Sequence, residues 1–318
     1  MTDPLDAPTA APRPLRLFGH MELANLEALD PAQAALDAYS ISQTVPSMDH
    51  PKLQALRARG IKIFRYINIL TRPLEGWVAG SPWFKYLWDF RSAGPLANSD
   101  GVPAIYPWFG QPTLWTWHKL ANAKRDQLRR RINDLVPAGD GLWLDLTYRQ
   151  PPYWAFSAQG AAYSDFNEIL WTAWQRNITA FLAELRTLDG RKVLCNGDNL
   201  APQPCFFERA DWTIEATWDE HVALWKQHPD NVLAVFATSS RVPDLIAEWK
   251  RSGGWIAFTG DEPEVRQAYA QALAAKQEVI DPDVPSVLTA IADESLSVSG
   301  RIGLWNMCSG VHAQGAVV

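Results

Sequence analysis

The sequence predicts an α/β fold, a (β/α)8 TIM barrel, and three observations carry that prediction. Short apolar runs alternate with helix-like stretches along residues 15–280, which is the pattern of repeated βα units around a parallel sheet. Eight such runs in that span match a barrel, whose usual size is about 250 residues. No Gly-x-Gly-x-x-Gly turn follows any of them, so the competing open doubly wound sheet has no dinucleotide fingerprint in its favour.

The expected strands are Leu15–Gly19, Ala38–Gln43, Ile61–Ile69, Gly141–Thr147, Lys192–Asn196, Trp212–Ala216, Asn231–Thr238 and Trp255–Thr259. Start signals mark several helices between them. Asp165-x-x-Glu168 opens the stretch that ends at Gly190, Asp261-x-x-Glu264 with Pro263 opens the one after the eighth strand, and Asp49 with Pro51 the one after the second. Residues 1–14 form an acidic, proline-rich lead read as disordered, residues 15–280 the barrel, and residues 281–318 an extension packed on it. Between the third strand and the next helix, residues 71–118 form a long aromatic-rich insertion holding Trp77, Trp83, Trp88, Trp108, Trp115 and Trp117. Connections of that length are functional or carry structure of their own.

Composition excludes several classes. With 29 Lys+Arg against 35 Asp+Glu and no dense basic run, the chain carries no electrostatic footprint for nucleic acid. No apolar run approaches the roughly 20 residues that cross a bilayer, and the start lacks a secretory pattern. The expectation is therefore no membrane partner and synthesis in the cytoplasm, with release or assembly outside left open. Cys195, Cys205 and Cys308 have no metal-like or redox-like spacing, so free thiols are expected. The six histidines contain no His-x-His or His-Glu-x-x-His, so neither a metal nor another cofactor is expected.

Alternation along each strand assigns the inward face. In Gly141-Leu142-Trp143-Leu144-Asp145-Leu146-Thr147 the leucines suit helix packing, which turns Asp145 inward with Trp143 below and Thr147 above. In Trp212-Thr213-Ile214-Glu215-Ala216 the same reasoning turns Glu215 inward; Tyr66 and Asn68 on the third strand and Asn196 on the fifth follow the same rule. Arg65 falls on the helix-facing side. All the inward polar residues lie near the C-terminal strand ends, where barrel active sites are built. A carboxylate there must be hydrogen-bonded, paired or wet. Asp145 and Glu215 are thus either a catalytic pair for glycoside hydrolysis, Asp145 as nucleophile or stabiliser and Glu215 as proton donor, or two separate structural acids. Asp140, at the stability end of its strand, reads as a turn or cap residue. Candidate sugar contacts are Gln43 and Tyr148 at strand ends, His20 after the first strand, and the rings of Trp108 and Trp218.

Tyr66-Ile67-Asn68, Asp140-Gly141-Leu142-Trp143-Leu144-Asp145, Asn196-Gly197 and Glu215 together resemble the polygalactosaminidase-type and related hypothetical glycoside hydrolase barrels. The resemblance covers about residues 15–280. It implies a carbohydrate substrate, Asp145 and Glu215 as the catalytic pair, and Tyr66, Asn68 and Asn196 holding the sugar. The third strand departs from that pattern, running into Leu70-Thr71-Arg72-Pro73 in place of Ser-Gly-Glu. The rival expectation is a carbohydrate-binding or structural barrel without turnover, in a surface or virion assembly with protein partners.

Overall fold

The computed structural model describes residues 13–42, 45–68, 71–73, 105–106, 111–115, 122–145, 147, 168–187, 191–196, 205–207, 218–260 and 262–280. Eight strands close a barrel: β1 (Leu15–Met21), β2 (Ala38–Ile41), β3 (Lys62–Asn68), β7 (Gly141–Asp145), β8 (Val193–Asn196), β9 (Cys205–Phe207), β10 (Val232–Phe236) and β11 (Gly254–Thr259). Every neighbour pair is parallel, and β11 returns to β1 with Leu15 opposite Gly254. Three further strands, β4 (Thr71–Pro73), β5 (Ile105–Tyr106) and β6 (Gln111–Trp115), form a small antiparallel sheet within the segment after β3.

The sixth stave corrects the sequence expectation. It is β9, whose Cys205 and Phe206 pair with Cys195 and Asn196 while Phe206 and Phe207 pair with Val232 and Leu233. The run 212–216, expected there, lies outside the described residues. Three apolar residues are too few to show a period of two, whereas the longer run shows one clearly.

Helices cover the sheet from outside: α1 (Leu23–Ala28), α2 (Pro51–Ala58), α3 (Asn122–Leu135), α4 (Glu168–Thr187), α5 (Trp218–Gln227), α6 (Val242–Ser252) and α7 (Glu262–Ile280). The cap of α2 is His50 rather than Asp49: its Nδ1 accepts from the Lys52 amide at 3.2 Å, with Pro51 in the first turn. A ring with one lone pair in plane does the work that a carboxylate usually does at this position. Among the described residues no helix is long and apolar enough to cross a membrane.

Alternation divides the apolar residues into two layers. Phe18, Phe64, Tyr66, Trp143, Leu194 and Trp255 fill the barrel, with Phe18 edge-on to Phe64 at 5.4 Å and to Trp143 at 6.2 Å. Leu17, Ile63, Leu233 and Ile256 face outward onto Leu53, Trp225, Leu245 and Trp249. Gly141 is required by this packing, because a Cβ there would run into the Phe64 ring. Tyr269 on α7 stitches the closing seam: its hydroxyl donates to the Phe18 carbonyl at 2.7 Å and accepts from the Phe258 amide at 3.2 Å. The seam continues before β1, where Gly254 N donates to Pro14 O at 2.9 Å and Arg13 lies over the Trp225 ring at 4.7 Å.

Two charged residues find partners that the sequence did not reveal. Arg65, fully buried on the helix side, donates to Val45 O at 2.9 Å, and burial brings its guanidinium down to about 10. Asp140 accepts a two-pronged bond from Arg57 of α2, at 2.8 and 2.5 Å, with its side chain 4% exposed against 26% for Arg57. It is therefore a strap between helix and barrel bottom. Removing one member of a buried pair costs about 3–5 kcal/mol; because Arg57 is partly wet, Asp140→Ala is expected near the bottom of that range. Urea unfolding at constant slope measures it, and an unchanged midpoint would show the strap to be idle.

Candidate active site

The site is built on three adjacent strands, β3, β7 and β8. Asp145 ends β7, and its backbone stands opposite Asn68 while Trp143 stands opposite Tyr66. On the other side Leu144 pairs with Cys195, which brings Asn196, the last residue of β8, level with Asp145. All these strand ends lie at the C-terminal mouth of the barrel.

Both carboxylate oxygens of Asp145 are engaged. The Tyr66 hydroxyl donates to Oδ2 at 2.5 Å, and Asn196 Nδ2 donates to Oδ1 at 2.8 Å. Tyr66 is paired two residues below Asp145, and its long phenol spans that step; the shorter Asn196 amide acts from the same level. Two donors converging on a half-buried acid suit the ionised form, which only accepts. They fix its rotamer. Asn196 is itself braced, because the Thr147 amide and hydroxyl both donate to its carbonyl, at 2.8 and 2.9 Å.

Below the carboxylate lies a layer of rings. Tyr66 packs on Trp143 with centroids 5.0 Å apart and planes at 62°, and His20 meets the two rings edge-on at 5.9 Å each. His20 belongs to β1 itself rather than following it, since the strand runs to Met21. Its Nδ1 shares a hydrogen bond with Ser40 Oγ at 3.0 Å. Its Nε2 is buried with no hydrogen-bond partner among the described residues. Burial pushes its imidazole from 6.5 down to about 3, so the ring is neutral at ordinary pH.

The structure thus brings together Asp145, Tyr66, Asn196 and His20, and it sets the backbone of Asn68 beside Asp145. Trp218 opens α5, half-buried against the outer core, with the Arg241 guanidinium over its ring at 5.6 Å. Glu215, Gln43, Trp108 and Tyr148 lie outside the described residues. Ser40 and Thr147 join the site without having been singled out as site residues. The signal for Ser40 was available, since it shares the inward parity of β2 with Ala38. Among the described residues no group of His, Cys, Asp and Glu is arranged to hold a metal ion.

No family model matches the chain, and no curated protein matches it. Among solved structures it is similar to the glycoside hydrolase domain of PelA from Pseudomonas aeruginosa, at 14% identity over 78% of this chain and 95% of that one, with TM-score 0.47. It is also similar to GH36 alpha-galactosidase AgaB from Geobacillus stearothermophilus, at 10% identity, 85% and 42% coverage and TM-score 0.48. A third is the cycloalternan-degrading enzyme from Trueperella pyogenes, at 12% identity, 95% and 51% coverage and TM-score 0.49. The chain spans about half or less of the length of the latter two.

Proposed function

We propose that the protein is a glycoside hydrolase of the polygalactosaminidase type, cleaving an oligo- or polysaccharide at the C-terminal mouth of its barrel. One observation carries this reading: an inward acid at a strand end whose two oxygens are held from both sides, by Tyr66 and Asn196. A purely structural acid has no need to stand half-buried at the one face where barrel enzymes place their chemistry.

In the proposed reaction Glu215 donates a proton to the glycosidic oxygen as the bond to the anomeric carbon breaks. Asp145 either attacks that carbon, forming a glycosyl ester that water then releases with Glu215 as base, or stabilises the positive charge that builds there while water adds to the carbon and gives its proton to Glu215. Glu215 falls in the chain between β9 and α5, a βα connection, the class of segment that supplies barrel active sites. Tyr66, Asn68 and Asn196 are assigned to sugar hydroxyls, with Gln43, Tyr148, Trp108 and Trp218 as further contacts, whereas His20, buried beneath Tyr66 and Trp143, supports the ring layer instead of touching sugar.

The test is incubation with a galactosamine-containing polysaccharide and a panel of neutral ones, measuring new reducing ends beside binding. New reducing ends support hydrolysis. Saturable sugar binding with none overturns it in favour of a binding barrel, and neither binding nor cleavage across the panel removes the carbohydrate reading.

A further inference from the structure

The inward alternation of the strands continues past their N-terminal ends. Arg16 stands two residues before Phe18, Lys62 two before Phe64, Lys192 two before Leu194 and Asp230 two before Val232. The opposite mouth of the barrel, away from Asp145, is consequently ringed by charge over an apolar floor. A recess there is lined by Lys62, Lys192, Asp230, Trp255, Phe18 and Phe64.

The charges at this mouth do not balance. Lys192 Nζ binds both oxygens of Asp230, at 2.7 and 2.8 Å. That leaves Arg16 and Lys62, each 5.1 Å from the Trp255 ring centroid, and no ion pair joins either to a carboxylate among the described residues. An aromatic face offsets only part of such a charge. Burial first, then the neighbouring Lys192 and Arg16, hold the Lys62 ammonium below its ordinary value. The Asp230 carboxylate also attracts Lys62, so the three cations Arg16, Lys62 and Lys192 share one carboxylate, and the excess of two positive charges at this mouth matches a divalent oxyanion.

We propose that the N-terminal mouth of the barrel binds a tetrahedral dianion, phosphate or sulfate, between Arg16 and Lys62 beside the Lys192–Asp230 pair. Bound there, the anion accepts from the guanidinium and the ammonium and removes the repulsion between them. The site is remote from the sugar-cleaving mouth, so it stands or falls independently of the activity.

The experiment is thermal unfolding of the full chain titrated with inorganic phosphate, and separately with sulfate, sodium chloride holding the ionic strength constant. A saturable rise in Tm is expected, as for any ligand that binds only the folded state. Lys62→Met should weaken the midpoint by about tenfold or more, the loss of one charge-assisted contact. Asp230→Asn, which frees Lys192, should tighten it. A Tm of the unaltered protein that ignores both anions at constant ionic strength overturns the proposal without reference to any variant. An undiminished response in a folded Lys62→Met protein, or weaker binding in Asp230→Asn, overturns it as well.

Discussion

Asp145→Asn is expected to lower kcat/KM on the cleaved polysaccharide by about 10³-fold or more while leaving the barrel folded. The amide has the shape of the carboxylate but can neither attack an anomeric carbon nor offset the charge that forms there. Its effect on stability is expected to be small. The Asn196 amide still finds a carbonyl oxygen at its 2.8 Å position, and the Tyr66 hydroxyl can turn from donating to accepting. The change in unfolding free energy should therefore stay within about 1 kcal/mol, the net worth of one ordinary hydrogen bond. Retained activity within a few-fold would detach Asp145 from the chemistry. Equal loss of activity and of fold would show that it is a structural acid.

The second large effect concerns acid. His20 titrates near 6.5 in an unfolded chain but about 3 in the barrel. Between those values the unfolded state takes up a proton that the folded state refuses, so stability falls as pH drops through that window and is flat above it. At pH 4.5 the penalty relative to pH 7 is about 2–3 kcal/mol, two pH steps at about 1.4 kcal/mol each. His20→Gln should remove that share of the pH dependence, read as the difference in urea midpoints at the two pH values. A variant with the same acid sensitivity as the parent would mean that His20 is not the group responsible. The buried Nε2 gives the physical reason: charging the ring would place a second N–H where no acceptor stands among the described residues.

Much of this geometry was legible because a strand's period of two is exact enough to assign faces from residue types alone. Leu142 and Leu144 against Trp143 and Asp145, and Ile63 and Ile67 against Phe64 and Tyr66, fall on opposite sides of the sheet in the structure as the alternation requires. What alternation does not provide is register and reach. That Tyr66 spans from one ladder level to Asp145 and that His20 finds Ser40 depend on how neighbouring strands slide, and that Arg57 meets Asp140 across 83 positions depends on how α2 docks on the sheet. The sixth stave failed for a different reason. Cys205–Phe207 sits between Pro204 and Glu208 and is too short to show a period, so the better-patterned run 212–216 took its place in the reading. The inward orientation inferred for Glu215 rested on that run, and its role now rests on its place in a βα connection.

The measurement that bears most directly on the account is a crystal structure of the protein with an oligosaccharide bound at the C-terminal mouth. Hydrolysis by this pair requires the carboxyl groups of Asp145 and Glu215 to flank one glycosidic bond, about 5–5.5 Å apart for retention of configuration or about 6.5–9.5 Å apart for inversion. A sugar bound with Glu215 turned away from that bond, or no sugar within contact of Asp145, would contradict it.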